Sequence, residues 1–183
     1  LKKKENLEEV EFTIDLKPRP LFAQKLFPSD LVTTEPKPHQ TAGFGWLVDA
    51  WTSGLPGVLL ADDMGLGKTM QALAFLAWFR DNRRLGGTRA KQHAGPILVV
   101  APTALLRNWI KEAETHLAGD GLGHCLQVFG AGLGRLKRRD AIPEDALDVD
   151  AIRSADWVLT TYETLSNYHR AFARVAYPVI VFD

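Results

Sequence analysis

The run Leu59-Leu60-Ala61-Asp62-Asp63-Met64-Gly65-Leu66-Gly67-Lys68-Thr69 constrains the fold of this chain more than any other stretch. Apolar residues 58–61 predict a strand, a glycine turn follows, and residues 69–80 carry the apolar spacing of a helix. That order makes a cradle for a nucleotide's phosphates. Gly65 and Gly67 lack Cβ atoms, so the backbone can wrap closely around a polyphosphate and aim the N–H groups of Asp63, Met64, Gly65, Leu66 and Gly67 at its oxygens. A helix opening at Thr69 adds the positive end of its dipole. In such a loop Lys68 neutralises the β- and γ-phosphates and the Thr69 hydroxyl ligates the Mg²⁺ that accompanies ATP. Asp62 stands where the general pattern wants its first glycine, so the weight falls on the strand–loop–helix context. The rival reading is a glycine-rich turn with a solvated lysine.

Length and composition narrow the rest. A chain of 183 residues that is 46% hydrophobic and 24% charged can bury one sizeable core. Its 22 basic and 22 acidic residues cancel, so any nucleic-acid site must be local. One cysteine, Cys125, rules out an internal disulfide and fits a reducing, intracellular compartment. His124 beside it lacks further ligands for a metal site. No apolar run approaches the roughly 20 residues of a membrane span, which argues against a membrane partner. The chain starts without methionine and stops on an apolar strand pattern ending in Asp183, as a piece of a longer protein would.

Alternation at Val10, Phe12, Ile14 and Leu16, followed by prolines 18, 20 and 28, predicts a short strand and an extended connector, so residues 1–35 read as a lead-in to a lobe over 36–183. A helix over 39–52 carries Phe44, Leu47, Val48 and Trp51 at helical spacing. Strands are predicted over 58–61, 97–101, 126–129, 157–160 and 179–182, and a helix over 103–117 aligns Leu106, Trp109, Ile110, Ala113 and Leu117. Such alternation predicts an α/β fold with a mostly parallel sheet covered by helices on both faces, and ligands bound beyond the strand ends. Asp62, Pro102, Thr160 and Asp183 lie at those ends. Residues 81–95 and 130–156 read as loops. Their basic residues, Arg80, Arg83, Arg84, Arg89 and Lys91 in one and Arg135, Lys137, Arg138 and Arg139 in the other, either touch phosphates or form solvated faces among acids such as Asp140, Glu144 and Asp145.

Several segments together resemble the Swi/Snf-type, helicase-like DNA translocase ATPases. Pro38-His39-Gln40 with Gly43-Phe44-Gly45-Trp46-Leu47, and then the run from Ala61 to Thr69, are similar to that family's opening motifs, its form of the glycine loop included. Val100-Ala101-Pro102-Thr103-Ala104-Leu105-Leu106-Arg107-Asn108-Trp109 resembles motif Ia, and Leu159-Thr160-Thr161-Tyr162-Glu163-Thr164-Leu165 a later DNA-contacting segment. Val179-Ile180-Val181-Phe182-Asp183 resembles the front of the acidic motif II.

The resemblance implies a RecA-like P-loop NTPase lobe, the N-terminal one of two, incomplete at its C-terminus. It implies that Gln40 reads the adenine edge, that Asp183 orients Mg²⁺, and that Lys68 and Asp183 serve catalysis. It also implies that Pro102, Thr103, Thr160, Thr161 and Tyr162 contact the backbone of double-stranded DNA. Structural readings stand beside these: Gln40 as a helix N-terminal residue, Thr160 with Glu163 as a capping box, Trp109 as core. The implied activity is DNA-dependent ATP hydrolysis completed by the second lobe, so the 183 residues alone are expected to turn over little ATP. The alternative is a RecA-like module that lost catalysis and binds nucleotide or protein. The residue following Asp183 separates the two, a glutamate favouring the ATPase. An unrelated P-loop kinase or transporter ATPase leaves Gln40 and residues 160–165 without a role. Short intervals between motifs favour a bacterial member, in the cytoplasm or nucleoid, over a nuclear one, and either is intracellular.

Overall fold

The computed structural model describes residues 16–138 and 142–183. Residues 10, 12 and 14 of the expected first strand, and Arg139 and Asp140 of the second charged stretch, lie outside the described residues. Four parallel strands, β1 (Ile97–Val100), β2 (Cys125–Val128), β3 (Trp157–Thr160) and β4 (Ile180–Phe182), form one sheet in the order β2-β3-β1-β4. Register is direct along the sheet, with Leu98 opposite Val158 and Ile180, and Leu126 opposite Val158.

The strands explain themselves by burial. Every residue of β1 and β3 is buried, which a central strand covered on both faces demands and a continuous apolar run supplies. Ile97, Val99, Trp157 and Leu159 point to one face, where they pack with α1 (Pro38–Thr52), α2 (Lys68–Gly86) and α3 (Leu106–His116). Leu98, Val100 and Val158 point to the other, against α4 (Gly130–Leu136), α5 (Val149–Ser154), α6 (Tyr162–Asn167) and α7 (His169–Ala173). This is the α/β fold with a parallel sheet that the alternating pattern predicts, and it is consistent with the RecA-like lobe that the resemblance implies.

Three expectations need correction. Residues 58–61 form no strand: Val58 and Leu59 are exposed, Leu59 at 83%, and no described strand lies beside them. An apolar run becomes a strand only where a neighbour takes its N–H and C=O groups. Residues 81–95 are not a loop, because α2 continues to Gly86 and a 3₁₀ turn spans Gly87–His93. Polar residues extend that helix because each has a distant partner: Asn82 Oδ1 accepts from the N–H groups of Phe22 and Ala23, and Arg83 donates to the carbonyls of His93 and Gly95. Residues 130–156 hold α4, α5 and a 3₁₀ turn at Pro143–Asp145, with Asp148 capping α5 through the N–H groups of Asp150 and Ala151.

The described part of the lead-in is sewn onto the lobe rather than hanging from it. Ala23 and Val32 are core residues, Val32 bridges to Leu117, and Phe27 meets Phe44 edge to face. Arg19 donates to the carbonyls of Trp51 and Leu55, and the Trp78 indole N–H donates to the Gln24 carbonyl. Asn82→Ala deletes the acceptor of two backbone amides, one of them buried, and is expected to cost about 2–3 kcal/mol. Urea denaturation checks this, together with faster proteolysis between residues 16 and 35.

Candidate functional site

The glycine loop owes its shape to two residues that only glycine suits. Gly65 and Gly67 have φ of 84° and 78°, in the left-handed region, and a Cβ on Gly67 would collide with Gln40 Nε2. The chain then enters α2 at Lys68, one residue before the expected start. Gly67 brings no side chain to cap that helix, so its first amides lack an acceptor from the cap. A 19-residue helix with bare N-terminal donors is suited to an anion.

Lys68 folds back on its own loop. Its ammonium donates to the carbonyls of Asp62 at 2.6 Å and Asp63 at 3.0 Å. Both acceptors are neutral carbonyls, so no carboxylate among the described residues pairs with the ammonium beside the uncapped amides. Met64, at the loop's tip, is 95% exposed, and Thr69 is half-buried in the first turn of α2. These donors fit a polyphosphate, with the Thr69 hydroxyl at the helix start available to a hard cation.

Gln40 sits behind this loop with both amide atoms engaged. Its Oε1 accepts the N–H of Lys37, the residue that precedes α1, and its Nε2 donates to the Leu66 carbonyl. The helix-terminal reading of Gln40 is therefore realised, and the same side chain ties α1 to the glycine loop. His39 adds a second tie to the Leu66 carbonyl. Sequence reasoning missed Gln71. Fully buried in α2, it reaches Asp62 Oδ2 with Nε2 at 3.4 Å, leaves Oε1 without a protein partner, and lies where a Cβ on Gly43 would be.

A second cluster forms at the C-terminal edge of the sheet. In a parallel sheet all strands end on the same side, so Pro102, Thr103, Tyr162 and Asp183 emerge together beyond β1, β3 and β4. Pro102 and Thr103 are exposed, and Tyr162 is 46% exposed. Asp183 is held by two donors, the Trp109 indole N–H to Oδ2 at 2.7 Å and the Tyr162 hydroxyl to the backbone carbonyl at 2.8 Å. Trp109 is core, as expected, yet its one polar atom serves this carboxylate. Among the described residues, no hydrogen bond joins this cluster to the glycine loop.

Thr160 and Thr161 face inward. Thr160 is fully buried and donates to the Val128 carbonyl, while Thr161 accepts the N–H of Thr164 and so caps α6. The expected Thr160–Glu163 box is displaced by one residue because the ladder of β3 runs through Thr160. Their hydroxyls are thus occupied, and the exposed polar surface of the segment begins at Tyr162. Of the second basic stretch, Arg135, Lys137 and Arg138 are exposed, with Lys137 Nζ 5.9 Å from the Tyr168 ring centre.

Other features belong to the scaffold. A cavity of about 530 Å³ is lined by Arg80, Arg83, Arg84, Asp81 and Asp120, but Arg80 already forks onto Asp120 and Arg84 onto Asp81. The Arg80 hydrogen bond holds the Asp120 carboxyl below its usual range. Burial pushes the Cys125 thiol up to about 12, so it stays neutral and unreactive at physiological pH. No described helix is long and apolar enough to cross a membrane.

Comparison with known proteins meets the same residues. The family model described as SNF2-related domain matches residues 39–183, which takes in both clusters. The Zorya protein ZorD of Escherichia coli is 33% identical over 80% of this chain and 14% of its own length. The chromatin-remodeling ATPase INO80 of Arabidopsis thaliana is 34% identical over 80% of this chain and 9% of its own. The ISWI chromatin-remodeling complex ATPase ISW1 of Saccharomyces cerevisiae is 38% identical over 80% of this chain and 11% of its own. The chain therefore spans a small part of the length of the curated relatives it matches. With the model covering most of it, the chain belongs to the SNF2-related domain family.

Proposed function

We propose that this chain is the ATP-binding lobe of a DNA-dependent ATPase that tracks along double-stranded DNA and works with a second RecA-like lobe. The observation that carries the reading is the glycine loop, where a charged Lys68 held only by carbonyls stands beside the uncapped start of α2. The names of the relatives, ATP-dependent remodelling enzymes and helicases among them, point the same way.

Bound Mg²⁺-ATP supplies the electrophilic γ-phosphorus and the cation that offsets its charge. Lys68 exchanges the carbonyls of Asp62 and Asp63 for phosphate oxygens, a trade of neutral acceptors for anionic ones that strengthens each hydrogen bond. The amides from Gly65 to Thr69 would hold the remaining oxygens, and Thr69 and Asp183 would be the residues to hold the cation. Gln40 holds the loop from behind through Leu66, and reading an adenine edge would require it to exchange its present bonds. Pro102, Thr103 and Tyr162 present the surface for one DNA strand. Thr160 and Thr161 support that surface from within and offer DNA their backbone only. Contacts of this kind position a duplex without reading its sequence, which a tracking motor requires.

The test is ATP turnover by the intact protein with and without duplex DNA. Stimulation of at least tenfold by duplexes of unrelated sequence is expected, and turnover indifferent to duplex would overturn the proposal. For the basic stretch, replacing Arg135, Lys137 and Arg138 with glutamine should weaken duplex binding. The salt slope should fall by about one for each phosphate that is no longer neutralised. An unchanged slope returns these residues to a solvated face.

A further inference from the structure

We infer that Trp109 and Tyr162 are positioning residues that clamp Asp183 from opposite faces of the sheet and so connect the exposed Thr103–Tyr162 edge to the cation-holding carboxylate. The inference rests on the proposed role of Asp183. Trp109 belongs to α3, which packs on one face, and its indole N–H reaches Asp183 Oδ2. Tyr162 opens α6, whose Leu165 packs on the other face, and its hydroxyl reaches the Asp183 carbonyl. Tyr162 also stacks on Phe182, with ring planes 27° apart and centres at 6.1 Å. Because β3 and β4 are not neighbours in the sheet, Tyr162 reaches across the end of β1 to do this.

The chemistry of each donor is specific. Trp109 is 2% exposed and its N–H can only donate, so a buried indole without Asp183 would leave that group unpaired. The bond fixes one carboxylate oxygen and leaves Oδ1 uninvolved in it, which sets the direction from which a cation can approach. Both clamping side chains belong to segments whose first residues are the exposed ones at the sheet edge: Thr103 lies one short 3₁₀ turn before α3, and Tyr162 is the first residue of α6. A strand pressed on that edge would bear on two helices that each hold Asp183, and by linkage a bound cation would tighten that edge in return.

The experiment measures Mn²⁺ binding by electron paramagnetic resonance to the intact protein loaded with ADP, with ADP affinity in EDTA and the melting temperature measured alongside. Trp109→Phe keeps most of the apolar volume and removes the N–H; its Mn²⁺ dissociation constant is expected to rise about tenfold, with ADP affinity in EDTA within about twofold of the parent. Tyr162→Phe, at a half-exposed side chain, should raise it about threefold. If Trp109→Phe proves too unstable to assay, Tyr162→Phe decides alone. Should Asp183→Asn weaken Mn²⁺ binding while neither clamp variant does, the clamp is refuted and the role of Asp183 stands. Should Asp183→Asn itself leave Mn²⁺ binding unchanged, both fall together.

Discussion

Lys68→Ala is expected to lower ATP turnover by the intact protein by about 10²- to 10³-fold or more while leaving its melting temperature nearly unchanged. The two halves of that expectation have separate causes. In the free loop the ammonium touches only two carbonyls of its own loop, and a half-buried lysine with such contacts contributes within about 0.5 kcal/mol of nothing to folding. In the proposed hydrolysis the same group would face the charge that develops on the transferred phosphoryl, where a preorganised cation has its largest effect. Steady-state kinetics and a thermal melt on the same preparation separate the two. Turnover within threefold of the parent would remove Lys68 from the site.

The largest expected effect on stability comes from Trp78→Ala. Trp78 is nearly fully buried on α2, packs edge to face with Trp51 of α1, stacks on Phe75, and donates its indole N–H to the Gln24 carbonyl. Its truncation empties the centre of the α1–α2 interface and releases segment 18–34 at once. Phe or Trp to Ala in a core costs about 3–5 kcal/mol, against a total stability of about 5–15 kcal/mol for a domain. Equilibrium urea unfolding should therefore show a midpoint lowered by at least about a fifth. A loss below 1 kcal/mol would mean that the aromatic cluster does not hold these helices together.

How much of this the sequence discloses depends on whether a residue's partner is local. Strands β1 and β3 are legible because a strand buried on both faces must be an unbroken apolar run, and residues 97–100 and 157–160 are such runs. The same signal at 58–61 misleads, since composition records apolarity and not whether a neighbouring strand is present. The α2 extension through Asn82 and Arg83 is hidden because its stabilising partners, the amides of Phe22 and Ala23 and the carbonyl of Gly95, are remote in sequence.

The site divides the same way. Gly65, Gly67 and Lys68 are legible because a phosphate loop is a local geometry. The N-cap at Thr161 is off by one residue because only strand pairing shows that Thr160 belongs to β3. Trp109 reads correctly as core, but nothing in a helical pattern can show that its N–H meets a carboxylate 74 residues later. Gln71 carries no motif signal distinguishing it from any polar helical residue, and its importance rests on total burial beside Gly43 and Asp62.

The central claim is that the loop around Gly65, Gly67 and Lys68 encloses the phosphates of a nucleotide. A titration of the ¹⁵N-labelled chain with Mg²⁺ and a nonhydrolysable ATP analogue, followed by amide and lysine ammonium resonances, measures it directly. The account predicts saturable shifts concentrated at residues 64–70, with the Lys68 ammonium leaving the carbonyls of Asp62 and Asp63 for the phosphates. Unmoved resonances across that loop at millimolar analogue would contradict it.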